Sequence, residues 1–262
     1  FTVRTTQGQV PVVERKELEA KLGAAARRWD DDLRDALIDA EGEARGLELF
    51  KRWAAGFPLG YRERVSPRAA VPDVLKIASL SAESPLALAL YRPLGAEPGA
   101  LGFKVYRLGG AVVLSDSLPM LEHMGVQVLE ERPYEVKRAD SKEVWIDDFG
   151  MRVPGFDEID IEGLRGRFQE TVARTWHGDN DNDEFNRLVL LAGLDWRGVT
   201  VLRAYARYMK QAAFTFSQAY IEQALATHAG IAAELVALFV ARFDPSLAGD
   251  RGAAQVAIKQ RI

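Results

Sequence analysis

The sequence predicts an α+β chain: a circularly permuted ferredoxin-like α/β sandwich followed by an all-α helical bundle. Three observations carry this expectation. Between Ser66 and Val153 the elements read helix, strand, strand, helix, strand, strand. From Asp157 to Ile262 the apolar residues recur only at helical spacing. With 48% apolar residues in 262, the chain can bury a sizeable core for one large domain or two ordinary ones.

Phe1 to Gln9 is β-rich and ends in a glycine turn, so it reads as a strand. The chain opens Phe1-Thr2-Val3-Arg4-Thr5 without methionine, and the expectation is an internal piece of a longer protein, starting partway along that strand. Val12 to Ala55 is helical in pattern: Leu18, Leu22, Ala25, Ala26 and Trp29 recur at three and four, and Leu33, Leu37 and Ile38 continue the stripe. Gly42 and Gly46 punctuate it. Leu47, Leu49, Phe50 and Trp53 suggest a second short helix ending near Gly56, with Phe57-Pro58-Leu59-Gly60 as a stop.

Ser66-Pro67 opens a turn or cap, and Pro72 is tolerated in a first helical turn, which predicts a helix over 71–80. Leu86 to Pro93 and Leu101 to Leu108 are two strands, joined as a hairpin by the turn residues Leu94-Gly95-Ala96-Glu97-Pro98-Gly99. Ser115-Asp116 caps a short helix through His123, closed by Gly125 where a left-handed residue is wanted. Val126 to Lys137 and Lys142 to Val153 are a third and a fourth strand, with Ala139-Asp140-Ser141 as their turn. An ordinary ferredoxin-like domain runs strand, helix, strand, strand, helix, strand. Moving its first strand to the end reconciles the two orders, since a last strand arriving by a tight turn falls into the vacant central slot. The remaining helices are Ile159 to Thr175, Asp183 to Leu191, Gly198 to Ala213, Ser217 to Thr227 and Ile231 to Phe243, before Asp244-Pro245 breaks the pattern.

Composition narrows the chemistry. Lys plus Arg total 34 against 38 Asp plus Glu, a net charge of −4, which excludes a dominant polyanion-binding face, so nucleic acid is not an expected partner. There is no cysteine, which removes disulfides, thiolate metal sites and thiol nucleophiles. The longest apolar runs fall short of the ~20 residues that span a bilayer, and the first residues lack a signal-peptide layout. A cytoplasmic segment with no membrane partner is the expectation.

Several motifs are incomplete. Asp148-Phe149-Gly150 and Val256-Ala257-Ile258-Lys259 occur in the wrong order for a protein kinase, without its catalytic loop. Asp179-Asn180-Asp181-Asn182-Asp183-Glu184 opens like an EF-hand loop, but the sixth position is Glu184 and the twelfth Leu190, so anions at a helix N-terminus are the preferred reading. His123, His177 and His228 stand far apart. Arg197, Arg203, Arg207 and Lys210, interleaved with Tyr205 and Tyr208, are read as a solvated or partner-facing side, because Val199, Leu202, Ala206 and Met209 form that helix's core stripe. Catalytic, cofactor-binding and metal residues are therefore none. Tyr91, Arg92, Ser115 and Asp116 lie near one edge of the expected sandwich and are candidate contacts for a small regulatory ligand; capping and strand termination explain them as well.

Long runs carry a family resemblance. They include Val65-Ser66-Pro67-Arg68-Ala69-Ala70-Val71, Leu90-Tyr91-Arg92-Pro93-Leu94 and Phe103-Lys104-Val105-Tyr106-Arg107. They continue in Leu114-Ser115-Asp116-Ser117-Leu118-Pro119-Met120-Leu121-Glu122-His123-Met124-Gly125, in Glu130-Glu131-Arg132-Pro133-Tyr134 and in Asn182-Asp183-Glu184-Phe185-Asn186-Arg187-Leu188-Val189. Leu202-Arg203-Ala204-Tyr205-Ala206, Phe216-Ser217-Gln218-Ala219-Tyr220-Ile221 and Phe243-Asp244-Pro245 complete them. Together they resemble the large bacterial NAD-specific glutamate dehydrogenases, in the part upstream of the catalytic domain, over nearly the whole chain. Pro72 departs from the small helix former expected at its position.

The resemblance implies a parent oxidoreductase that deaminates L-glutamate to 2-oxoglutarate and ammonia with NAD, through a C-terminal catalytic domain absent here. It implies a regulatory and assembly role for this part, inactive alone, built from ACT-like domains and helical motifs. The implied organisation is 1–60 as the end of a preceding ACT-like domain (1–9) plus linking helices, 61–154 as an ACT-like domain, and 155–262 as a helical domain. Implied partners are the catalytic domain of the same polypeptide, further copies in a homotetramer, and an amino-acid effector. An amino-acid-sensing module and an oligomerisation scaffold are the alternatives. No cofactor is expected in this segment, and NAD in the parent.

Overall fold

The computed structural model describes residues 28–137, 143–247 and 249–262. The expected strand over 1–9, the start of the first helix over 12–27 and the turn at 139–141 lie outside the described residues. The chain divides into two compact units. Residues 28–78 with 136–137 belong to the first, and 79–135 with 143–262 to the second.

The first unit is helical. Helix α1 (Trp29–Glu41) buries Leu33, Ala36 and Leu37, the stripe read from the sequence. Gly42, at φ +80°, turns the chain into α2 (Glu43–Trp53). Gly46 does not punctuate; it lies inside α2, where a Cβ would come within 2.7 Å of the Ile38 backbone, so it permits close packing of the two helices. A short 3₁₀ turn over Ala54–Gly56 follows. The expected stop at 57–60 is brief, because Pro58 precedes α3 (Leu59–Arg64).

Arg62 gathers this region. It donates to the carbonyls of Phe57 (2.8 Å) and Ala54 (2.9 Å), pairs with Asp30, and lies over the Trp29 ring. Helix α4 (Pro67–Ser79) starts four residues before the expected Val71, with Ser66 as its last non-helical residue. Pro67 takes the first turn and Pro72 falls inside the helix, because burial of Ala70, Val71, Val74 and Ile77 outweighs one missing N–H.

In the second unit, β1 (Leu86–Tyr91), β2 (Ala100–Leu108), β3 (Gln127–Lys137) and β4 (Glu143–Arg152) form one sheet in the order β1-β2-β4-β3. The β1–β2 and β2–β4 pairings are antiparallel. This is the permuted arrangement: β4 fills the central slot beside β2. Helix α5 (Leu114–His123) joins β2 to β3. The helix lying along β1 is α6 (Ile161–Trp176), and the expected opening helix over 71–80 falls in the first unit instead. The reason is topological. In the unpermuted order a helix follows the first strand; here that strand is β4, and α6 follows it.

Leu88 and Leu90 of β1, Leu101, Phe103 and Val105 of β2, and Phe149 and Met151 of β4 share one face of the sheet. They pack with Leu164, Phe168 and Val172 of α6, and the Phe103 and Phe168 rings meet edge to face at 5.4 Å. Asp160 caps α6 by accepting from the Gly163 N–H.

The helical remainder adds to the same core through Phe185, Val189, Val199, Leu202 and Val236. The expected helix over Asp183–Leu191 is a 3₁₀ turn (Glu184–Arg187) followed by one α turn, α7 (Leu188–Leu191). Helix α8 (Trp196–Gln211) is capped by Asp195, and α9 (Gln218–Thr227) by Ser217. Helix α10 (Ala229–Phe243) meets α9 at a 101° bend. A further helix, α11 (Arg251–Lys259), follows the Asp244-Pro245 break and packs on α10. Among the described residues no single helix is long and apolar enough to cross a membrane.

Candidate functional site

The four residues singled out from the sequence lie at two ends of the sheet. Tyr91 is the last residue of β1 and faces Gly102, near the start of β2. Ser115 and Asp116 sit in the first turn of α5, beyond the other end of β2. Six residues of strand at ~3.4 Å each put about 20 Å between those ends, so the two pairs do not form one site.

At the Tyr91 end, antiparallel pairing sets Lys104 opposite Asp148. The Tyr91 hydroxyl donates to an Asp148 carboxylate oxygen at 2.7 Å, and the Lys104 ammonium stands 5.2 Å from the Tyr91 ring centre. Gly102 leaves room for that ring on the strand. Lys104 and Asp148 are buried and Tyr91 is half-buried. Asp148-Phe149-Gly150 is thus ordinary strand, with Phe149 wholly inside. Arg92 is exposed and donates to the Ile159 carbonyl at 2.8 Å, tying the end of β1 to the segment before α6. The Gly99 N–H donates to Asp157 O, and the Val153 N–H to Gly99 O, so the two loops are cross-linked at this end. What it offers a ligand is one exposed guanidinium on a braced loop, suited to a carboxylate.

At the other end, Ser115 and Asp116 do not cap α5. Val113 holds the N-cap position without a side-chain bond, and the exposed Ser115 hydroxyl donates only to Asp116 at 3.4 Å. The anchoring is done by Asp147, which faces inward opposite Val105 and is fully buried. One of its oxygens accepts the Val112 N–H at 3.2 Å, and Arg107 donates to Ala111 O, so sheet side chains hold the loop leading into α5. Burial pushes the Asp147 carboxyl up to about 7, with the Val112 N–H opposing, the Glu131 carboxylate adding, and Arg107 opposing. Burial likewise raises Glu131, against its hydrogen bond with Asp147. The two carboxyls are thus coupled, each bearing on the other's titration. Sequence reading missed this pair. The signal was the strand's alternation, which puts Asp147 on the face of Phe149 and Met151.

The acidic run 179–184 is organised around Arg203, which is 2% exposed. Its guanidinium donates to Asp183, to the side-chain oxygens of Asn180 (3.0 Å) and Asn186 (2.9 Å), and to the Asp181 carbonyl. Arg203 is therefore not on the solvated face expected of it, whereas Arg197, Arg207 and Lys210 are exposed. Asp183 takes Arg203 instead of capping a helix or ligating a cation, and among the described residues no cluster of His, Cys, Asp and Glu could hold a metal. The ring of His123, the last residue of α5, contacts Asn182 through Nδ1 at 2.8 Å. Lys259 ends a helix, so the Val256–Lys259 run is not a phosphate-binding strand.

Comparison with known proteins finds glutamate dehydrogenase matches along the chain. A family model for glutamate dehydrogenase helical motif 2 matches residues 36–80, one for its ACT3 domain 85–164, and one for its helical motif 3 180–245. The NAD-specific glutamate dehydrogenase of Halomonas elongata is 45% identical over 240 residues, which is 91% of this chain and 15% of that protein. That of Pseudomonas aeruginosa is 41% identical over 231 residues, 88% of this chain and 14% of its own length. That of Mycobacterium tuberculosis is 37% identical over 247 residues, 92% and 15%. The chain thus spans about 15% of the length of these relatives.

Proposed function

Since the chain belongs to the family of the NAD-specific glutamate dehydrogenases, in the part that carries helical motif 2, the ACT3 domain and helical motif 3, we propose that it is a non-catalytic regulatory and assembly segment of such an enzyme. The parent would oxidatively deaminate L-glutamate to 2-oxoglutarate and ammonia with NAD, in the cytoplasm and as a homo-oligomer. This segment would contact the catalytic domain of the same polypeptide. The observation that carries the reading is the match of the ACT3 model over 85–164, the stretch that holds the whole sheet and the start of α6. The experiment is an assay of this chain with L-glutamate and NAD. No NADH is expected, and turnover by the chain alone would overturn the non-catalytic role.

An amino-acid sensor is the second reading, and Arg92 favours it: an exposed guanidinium on the cross-linked loops of an ACT-type sheet can take an α-carboxylate. Calorimetric titration with the individual amino acids tests it. Heat from one of them, lost in Arg92→Ala, is expected; no heat from any removes the reading.

A further inference from the structure

The turn between α8 and α9 carries a feature that the sheet and its loops do not explain. Ala213 has φ +62°, the only positive value for a non-glycine among the described residues. An L side chain in that region costs about 1 kcal/mol. The turn is held there by the Ala213 N–H on Lys210 O and the Phe214 N–H on Met209 O. The consequence is a display of rings. Phe216 stacks on Tyr220 with centroids 4.5 Å apart and planes at 14°, and Phe214 tilts against Phe216 at 5.1 Å. Phe216 is 47% and Tyr220 57% exposed.

These rings border a hollow of about 320 Å³ between α8, α9 and α10, lined only by apolar and aromatic side chains, Leu202, Met209, Ile221 and Leu235 among them. A second hollow of about 310 Å³ shares Tyr205 and continues past Tyr208 and Phe239. Together they form an apolar groove along α8. An exposed patch of this kind marks a contact site rather than scattered surface residues. Its course along a helix suits a ridge of side chains spaced i, i+3, i+4, i+7.

Charge selects the occupant. Helix α8 holds four cations and no carboxylate. Arg203 is engaged inside the protein and Arg207 by Asp181 at 3.0 Å. Arg207 and Lys210 line a cleft with Phe216 at the rim of the groove. No Asp or Glu lines the two hollows or the cleft, in a chain whose net charge is −4. We infer that the α8–α9–α10 face is a docking groove for an acidic amphipathic helix, whose apolar ridge seats on Tyr205, Phe216 and Tyr220 and whose carboxylates meet Lys210 at the rim.

The inference stands whether or not the chain regulates a dehydrogenase, since its test reads binding alone. Two fluorescein-labelled 18-residue helical peptides serve as probes: leucine at i, i+3, i+4 and i+7 with glutamate elsewhere, and a twin with lysine for glutamate. The acidic peptide is expected to raise anisotropy with the 262-residue chain, more weakly as salt rises. Phe216→Asp and, separately, Lys210→Glu are each expected to weaken it at least tenfold while circular dichroism is unchanged; the lysine twin is expected not to bind. Equal binding of both peptides, binding of neither, or indifference to both variants overturns the inference. So does sedimentation equilibrium showing this face closed by a second copy of the chain, or binding of phosphatidylglycerol vesicles in preference to the peptide.

Discussion

Arg203 donates from Nε and from one terminal nitrogen to the two carboxylate oxygens of Asp183, at 2.7 and 2.8 Å, with its guanidinium almost wholly closed to solvent. A buried charge is tolerated when it is paired and hydrogen-bonded, and Asn180, Asn186 and the Asp181 carbonyl add to Asp183 so that each guanidinium nitrogen has an acceptor. Removing the cation leaves Asp183, Asn180 and Asn186 facing an unfilled space. Arg203→Leu is expected to lower the unfolding free energy by about 3–5 kcal/mol, read by urea denaturation. Arg203→Lys, which keeps the charge without the fork, is expected to lose less. Stability equal to wild type in both variants would show that the network is ornamental.

The Asp147 carboxyl has a defined pH signature. Its folded value is raised from 3.8 to about 7, so the folded state binds a proton that the unfolded state releases. The stability that this proton supplies is complete below about pH 4 and is lost as pH rises through about 7. Asp147→Asn keeps an acceptor for the Val112 N–H and a donor for Glu131. The melting temperature of Asp147→Asn minus that of wild type is therefore expected near zero at pH 4 and positive at pH 8. A flat difference between those values would mean that Asp147 titrates normally.

Gly102 and Tyr91 are paired across the β1–β2 ladder with the ring over the glycine. A valine at 102 must displace the ring and with it the bond to Asp148. Gly102→Val is expected to destabilise by about 1–3 kcal/mol, and Tyr91→Phe by about 1 kcal/mol, both by chemical denaturation. A neutral Gly102→Val would contradict the close approach.

The free edge of β1 is blocked at Leu90 by α6. Gln169 accepts the Leu90 N–H at 2.8 Å and Arg165 donates to the Leu90 carbonyl at 3.1 Å, so two side chains take the place of a neighbouring strand. Arg165→Ala and Gln169→Ala are each expected to cost about 1 kcal/mol, and the double variant to scatter more light on standing, because an open edge invites pairing with another chain. Unchanged scattering would show that the edge is protected in another way.

The strands, the apolar stripes and the hairpin turn between β1 and β2 were legible because they depend on neighbours a few residues apart: Leu33 and Leu37 on one face of α1, Leu88 and Leu90 on one face of β1. The permuted sheet was legible too, since the order of elements leaves one vacant slot for β4. Ser115 and Asp116 misled because any serine or aspartate before a helical pattern looks like a cap, while the helix begins one residue earlier, at Leu114.

By itself, then, the sequence determined the α+β class, the sheet order and the family likeness, all of which rest on local periodicity and on runs of residues in order. Only the tertiary structure decided that α6 covers the sheet beside β1, that Arg203 leaves the solvated face to meet Asp183, and that burial beside Glu131 raises the Asp147 carboxyl. Each of these joins residues that are distant in sequence, and the free energy of a charge depends on which partners folding brings to it, which no local pattern encodes.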